Sequence, residues 1–200
     1  MKNLFKIVLI VLVVSCKAQT VPLNTYYHNV SSGAYFKDTL GELDKFDGTW
    51  VYSNSNISLT IILKKKIHVY DGEYYEDIIV GEYRLIQNNQ EIVNTLPTNL
   101  LDWDNIDERN IGGRRFITSE EVVPCVSCDP NEKRLMLYFS DPQRKYLTST
   151  ILLLRYIQPT LGEPEKIIAK IVSTHGVIIP DENSPTEPRV PLGEYLMIKQ

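Results

Sequence analysis

The sequence predicts an all-β protein, an antiparallel barrel or sandwich of about nine strands with one short helix or lid loop. Apolar and polar residues alternate over many segments of roughly five to ten residues, which is the pattern of half-buried strands. Turn-forming residues such as Asn54-Ser55-Asn56 and Asp71-Gly72 separate these segments. The 10 glycines and 11 prolines are scattered along the chain, which suits short strands joined by turns.

The predicted domain begins at Leu43–Tyr52, where the turn residues Asp47-Gly48 lead into a first strand, Thr49–Ser53. The later strands are predicted at Ser58–Lys65 with a continuation at Ile67–Tyr70, Tyr74–Ile86, Glu91–Thr95, Arg115–Ser119, Lys133–Ser140, Leu147–Gln158, Lys166–Thr174, Val177–Ile179 and Gly193–Lys199. Gly81, in the interior of a long strand, predicts a bulge or a sharp bend. Asp181–Pro191 contains three prolines and predicts a loop.

The first 15 residues have the pattern of a signal peptide. Lys2 and Lys6 precede Ile7–Val14, an apolar run that is too short to span a membrane. Ser15-Cys16 after this run resembles the bacterial lipobox, in which the cysteine is diacylated and becomes the new N-terminus. The alternative is an ordinary signal peptide with an incidental cysteine. We expect an exported protein, lipid-anchored in the bacterial cell envelope through Cys16.

The remaining chain is predicted to consist of a tether, residues 16–42, and a single β-barrel-like domain, residues 43–200. Without Lys2 and Lys6 the 21 basic residues fall to 19 against 25 acidic residues, a net charge of −6. A mildly acidic surface argues against nucleic acid as a partner and against electrostatic adhesion to anionic lipid.

Two cysteines, Cys125 and Cys128, remain once Cys16 is lipidated. An even pair in an exported protein favours a disulfide, here a small staple that closes a loop tip. A structural zinc site needs four ligands, and the sequence has no second cysteine pair. A thioredoxin-type redox site needs the motif at a helix start in a βαβ setting, whereas this pair lies among strand patterns.

No catalytic motif or cofactor motif is present in the sequence, so we expect a protein that is not an enzyme and that has no cofactor and no metal. Pro97–Gly113 interrupts the strand patterns and carries Leu100, Leu101 and Trp103, which predict a lid over a barrel opening. The alternative is that these side chains complete the core of a filled barrel. Its carboxylates do not fit the spacing of an EF-hand calcium loop.

Four stretches resemble a family of uncharacterised flavobacterial-type lipoproteins: Ser15–Gln19, Leu43–Tyr52, Tyr74–Thr95 and Pro191–Gln200. The resemblance implies an exported single-domain lipoprotein and supplies no activity.

Gly48-x-Trp50 also resembles the first-strand signature of lipocalin-like barrels, which implies a barrel whose closed end is plugged by Trp50. Arg155, the one charge inside an apolar strand, either stacks on Trp50 or faces solvent.

Two kinds of partner remain open. One is a small apolar ligand held inside the barrel by side chains that we expect to line it, namely Trp50, Tyr52, Leu137, Phe139 and Leu153. The other is an envelope protein, bound by a barrel that its own side chains fill. Strand number does not distinguish these possibilities, because a small barrel can be filled or can hold one small ligand.

Overall fold

The computed structural model describes residues 19–97, 108–174 and 180–200. Over these residues the chain forms strands β1 (Thr20–Pro22), β2 (Tyr35–Lys37), β3 (Gly48–Ser53), β4 (Ile57–Tyr70), β5 (Tyr75–Gln87), β6 (Gln90–Asn94), β7 (Ile111–Ile117), β8 (Arg134–Phe139), β9 (Thr150–Ile157), β10 (Lys166–Ser173) and β11 (Gly193–Lys199). Two short 3-10 helices lie at Tyr27–Asn29 and Asp44–Phe46.

Eight of these strands form a closed antiparallel barrel, which confirms the predicted fold class and fits a lipocalin-like architecture. Neighbours follow the order β5-β4-β3-β11-β10-β9-β8-β7. The sheet then closes on itself, because β7 pairs with β5 through Ile79 opposite Gly113 and Gly81 opposite Ile111. β6 pairs with the second half of β5, and β1 and β2 lie outside the barrel.

The predicted strands agree with the structure within a few residues at most ends, with one difference, at the start of β7. The segments 58–65 and 67–70 form one strand, β4, as predicted, and its pairing with β5 shifts register between Lys66 and Val69. His68 at this irregularity has φ 55°, and its backbone N–H donates to the Asp77 carboxylate at 3.0 Å. β7 begins at Ile111, before the predicted start. The predicted strand at 177–179 lies outside the described residues.

Gly81 does not mark a bulge in the sheet. The pairing of β4 with β5 continues in register through Gly81, which lies opposite Leu63. A Cβ at this position would lie 2.6 Å from the Leu63 Cδ2 and 2.9 Å from the Ile62 carbonyl oxygen. The glycine is therefore required by a close approach between strands.

The segment predicted as a tether contributes β1 and β2, which pair with each other in parallel, and β2 also pairs in parallel with the start of β5. The guanidinium of Arg114 lies 4.7 Å from the Tyr27 ring centroid and 4.1 Å from that of Phe36. The same guanidinium donates hydrogen bonds to Glu76 and to the Leu23 carbonyl. Cation–π contact and charged hydrogen bonds thus hold this segment against the outside of the barrel.

One end of the barrel is closed by Trp50 and by the 3-10 helix Asp44–Phe46. Trp50 and Phe46 are fully buried, and the indole Nε1 donates to the Phe46 carbonyl at 2.8 Å. The cation near the indole is Lys199, whose Nζ lies 5.4 Å from the ring centroid. Arg155 instead pairs with Glu132 on the outer face at 2.6 Å, so it does not stack on Trp50.

The opposite end is covered by the segment that precedes β11. Val190 is fully buried and belongs to the main apolar cluster. Its neighbour Arg189 forms an ion pair with Asp141 at 2.6 Å and donates to the Ile92 carbonyl at 3.2 Å. Tyr195 donates to the Pro191 carbonyl at 2.6 Å. The predicted loop therefore acts as an end cover tied to β6, to β11 and to the loop after β8.

Truncation of the indole should destabilise the protein strongly. We expect Trp50→Ala to lower the free energy of unfolding by ~3–5 kcal/mol, because a large cavity would remain at the closed end. Trp50→Phe also leaves the Phe46 carbonyl without its donor, but it keeps part of the side-chain volume. It should therefore lower the free energy of unfolding less than Trp50→Ala does. Urea unfolding measures both, and an unchanged midpoint for Trp50→Ala would remove this residue as the plug.

The ionisation of Asp141 should make the stability of the protein depend on pH in the acid range. Its buried position alone would raise the pKa of Asp141, but the hydrogen bonds from Arg189 and from the Gln143 backbone lower it overall. A lowered folded-state pKa means that the stabilisation is complete above the unfolded value, about 3.9, and is lost as pH falls through the folded value.

Asp141→Asn should therefore lower the free energy of unfolding at pH 7 by ~2–4 kcal/mol, somewhat less than for a fully buried pair because Arg189 is partly exposed. The difference in the free energy of unfolding between Asp141→Asn and the native protein should decrease below about pH 4. Glu91→Gln, in an exposed pair with Arg84, is the matched control and should change little. A pH-independent difference would contradict the ion-pair explanation.

Candidate functional site

Four of the five residues predicted to line a ligand cavity do lie together inside the barrel. Trp50, Leu137 and Phe139 belong to the main apolar cluster, and Tyr52 packs against it. Phe139 stacks on Tyr83 with ring centroids 4.6 Å apart. These side chains contact other core side chains, so they form part of the packed core.

Leu153 does not line the interior. Leu152 and Leu154 belong to the interior cluster, and alternation along β9 points the intervening Leu153 to the outer face. Leu153 is nevertheless buried, because the loop from Pro124 to Ser127 folds over it. Because β9 is a long apolar run that is covered on both faces, its sequence does not indicate which face points into the barrel.

The interior is filled by side chains over the described part of the chain. Many of them are large, and almost all are fully buried. They include Leu43, Phe46, Trp50, Leu59, Ile61, Leu63, Ile79, Tyr83, Leu85, Ile111, Leu135, Leu137, Phe139, Leu152, Leu154, Ile167, Ile171, Val190 and Met197. An interior of this kind resembles a packed core more than an apolar ligand cavity.

The predicted lid residues Leu100, Leu101 and Trp103 lie outside the described residues. The residues that flank them lie on the outer face of β4 and β5. Leu96 packs against a cluster that includes Val80, and the Asn110 side-chain amide donates to the Glu82 carboxylate at 2.8 Å.

A cavity of about 360 Å³ lies on the outside of the barrel, over β8 to β11. We call it the outer groove. Its wall is the loop from Pro124 to Ser127, and its floor is formed by the outward side chains of four strands. The floor residues are Arg134, Leu153, Arg155, Ile168, Lys170 and Glu194. Its size lies within the range of small-molecule sites.

One cysteine of the predicted pair, Cys125, belongs to the wall of this groove. Cys125 and Cys128 are joined in a disulfide with their Cα atoms 5.4 Å apart, which confirms the predicted pairing. The Cys125 N–H donates to the Ser119 carbonyl at 2.8 Å, and the Arg155 Nη2 donates to the Ser127 carbonyl at 3.3 Å. The staple and these hydrogen bonds hold the loop over β8 and β9.

Two of the three cations on the floor have carboxylate partners. Arg155 pairs with Glu132 at 2.6 Å, and Lys170 pairs with Glu194 at 2.9 Å. In the described ranges, no carboxylate lies within ion-pair distance of Arg134, the third cation. It is 3 % exposed, and one nitrogen, Nη2, donates to the carbonyls of residues 118, 119 and 121 at 2.8, 3.3 and 3.4 Å.

The Nε of Arg134 is buried and has no hydrogen-bond partner, the only side-chain nitrogen or oxygen in that state among residues 19–97, 108–174 and 180–200. Burial, together with the nearby charge of Arg155, lowers the pKa of Arg134, although Glu132 and Glu121 oppose this. Side chains along β8 alternate between the two faces of the sheet, so Leu135 lies on the interior face and its neighbour Arg134 lies on the outer face. Its burial was not predictable from that pattern, because the loop that covers it follows β7.

The described parts of the chain contain neither a cluster of metal-ligating side chains nor a membrane-spanning helix. No three side chains of His, Cys, Asp or Glu come together there as a metal site would require. Within the same residues, no helix has both the length and the apolar character needed to cross a bilayer.

Comparison with known proteins yields one family. The model of a family described as "Family of unknown function (DUF6705)" matches residues 1–200. No curated protein and no solved structure matches the chain.

Proposed function

Because this chain belongs to the DUF6705 family, whose function is unknown, we propose its role from the structure: a lipid-anchored binding protein of the cell envelope without catalytic activity. In this proposal the filled barrel is a scaffold, and binding takes place on its outside. The predicted alternative of a small apolar ligand inside the barrel has less support. The observation that carries the proposal is the packed interior with a side-chain cover at each end.

A binding role is supported by the state of the charged groups around the outer groove. Arg155 and Lys170 are held in ion pairs, and the nearest hydroxyl, that of Ser127, accepts from Arg155 at 3.4 Å. A hydrolytic site would require a nucleophile in contact with a general base. The described residues that line the groove include no such pair in contact.

The N-terminal packing gives the proposed anchor a short reach. The Gln19 carbonyl already accepts a hydrogen bond from the Tyr35 N–H at 2.7 Å. Gln19 lies three positions after Cys16 in the chain, and each position spans at most ~3.6 Å. A lipid on Cys16 would therefore hold the barrel within roughly 10 Å of the membrane surface.

Exposed apolar side chains occur where the chain enters the domain. The tip of the β4–β5 hairpin carries Ile67 and Tyr70, which are 70 % and 56 % exposed, and Tyr26 is 65 % exposed. The Gly33 N–H donates to the Glu73 carbonyl at 2.8 Å, which ties the N-terminal segment to the same tip. Tyrosine is favoured at membrane–water interfaces, so this end is suited to face the bilayer.

The proposed anchor is tested by Cys16→Ala, because acylation needs the thiol. We expect this variant to accumulate as unprocessed precursor or to appear in the soluble fraction, whereas Cys16 protein fractionates with membranes. Cell fractionation and the mass of the N-terminal peptide give the result. Normal maturation and membrane association of Cys16→Ala would contradict lipid anchoring.

The filled interior is tested with benzene as an apolar probe. An apolar cavity made in a protein core remains dry and can bind benzene, so Leu137→Ala should lower the free energy of unfolding by ~2–5 kcal/mol and should regain thermal stability when benzene is added. The native protein should gain none. A rise in the native melting temperature with benzene that Phe139→Trp removes would place a ligand cavity inside the barrel and overturn the scaffold role.

A further inference from the structure

We propose that the outer groove binds a small amphipathic anion, a carboxylate joined to an apolar chain. This inference rests on the proposed function, because it takes the barrel as filled and the binding site as external. The carboxylate would lie beside the guanidinium of Arg134, and the chain would lie against Leu153, Ile168 and Leu196 on the outer face of β9, β10 and β11.

The charge of the floor supports an anionic head group. Each of the other two cations is balanced by a carboxylate, Glu132 or Glu194. Arg134 donates only to uncharged carbonyl groups, which leaves the floor with one uncompensated positive charge. An unpaired charge is costly where solvent is excluded, and a bound carboxylate would remove that cost.

The hydrogen bonding of Arg134 supports the same conclusion. A guanidinium has five N–H donors in a planar fork that matches a carboxylate. In this structure the Nη2 group donates and the Nε–H has no acceptor. Buried donors are normally satisfied in proteins, so an unsatisfied donor on a side chain that lines the groove favours an acceptor bound there.

Apolar side chains in the groove support an attached chain. Leu153 and Ile168 lie on the floor among the charged side chains, and Val126 at the tip of the wall is fully exposed. The apolar surface continues beyond the cavity, because Leu196 lies opposite Ile168 in the sheet and is 52 % exposed. Ile198, two residues farther along the same face, is 40 % exposed.

The wall of the groove is preorganised. The disulfide between Cys125 and Cys128 restricts the loop, and Arg155 is bonded to Ser127 in that loop and to Glu132 beyond it. A site that is fixed before binding loses less entropy when the ligand enters. This gives the staple a role in recognition, in addition to its small effect on stability.

The test measures binding of radiolabelled decanoate by equilibrium dialysis, with the full lipid-anchored chain in phosphatidylcholine nanodiscs and empty nanodiscs as the blank. We expect saturable binding of one decanoate per chain and no competition from uncharged decanol. Ile168→Glu, a partly exposed floor position, should weaken binding at least tenfold, because it places a like charge and a polar group in the groove. Arg134→Gln should do the same if the variant folds.

Two control variants separate the possible results. Arg84→Gln removes an exposed cation of the β5–β6 hairpin and should leave decanoate binding unchanged, as should the interior variant Leu137→Ala. Absence of saturable binding, or binding that Ile168→Glu leaves intact, would overturn the amphiphile site without affecting the filled barrel. Binding that Leu137→Ala changes and Ile168→Glu does not would place the ligand inside and overturn the proposed function as well.

Discussion

The pairing of β5 with β7 is the interaction on which the rest of the structure depends. It converts a sheet with two open edges into a barrel, so the interior side chains are enclosed and the strand edges at that point are satisfied. Two glycines favour this pairing. A Cβ on Gly81 would lie 3.3 Å from the Cβ of Ile111 in β7, and Gly113 has φ 141°, a conformation that side chains disfavour.

Closure also decides where function can lie. The enclosed volume is occupied by the chain's own side chains, with Trp50 at one end and Val190 at the other. One cavity of the size of a small-molecule site, the outer groove, lies where a loop folds over the outer face of the sheet. A filled barrel of this kind acts as a rigid support, and a site built on its outer strands is held more precisely than one carried by loops alone.

The outer groove shows how two distant parts of the chain create a site. β8 to β11 provide a mixed floor, and the loop before β8 provides the wall. The wall lies there because the disulfide and the bonds from Arg155 to Ser127 hold it. The same loop removes Arg134 and Leu153 from water. Its placement therefore produces both the cavity and the unpaired guanidinium inside it.

The sequence by itself determined the fold class, most strand positions and the cysteine pairing, because alternation and turn chemistry are local signals. Only the tertiary structure decided which face of β9 is interior, and hence that Leu153 lies outside. It also decided that β1 and β2 join the sheet and that Val190 covers an end. These short segments have no periodicity of their own, so their conformation comes from contacts with residues far away in the chain. Arg155 illustrates the same limit: its partner, Glu132, was set by how a loop folds over the strand.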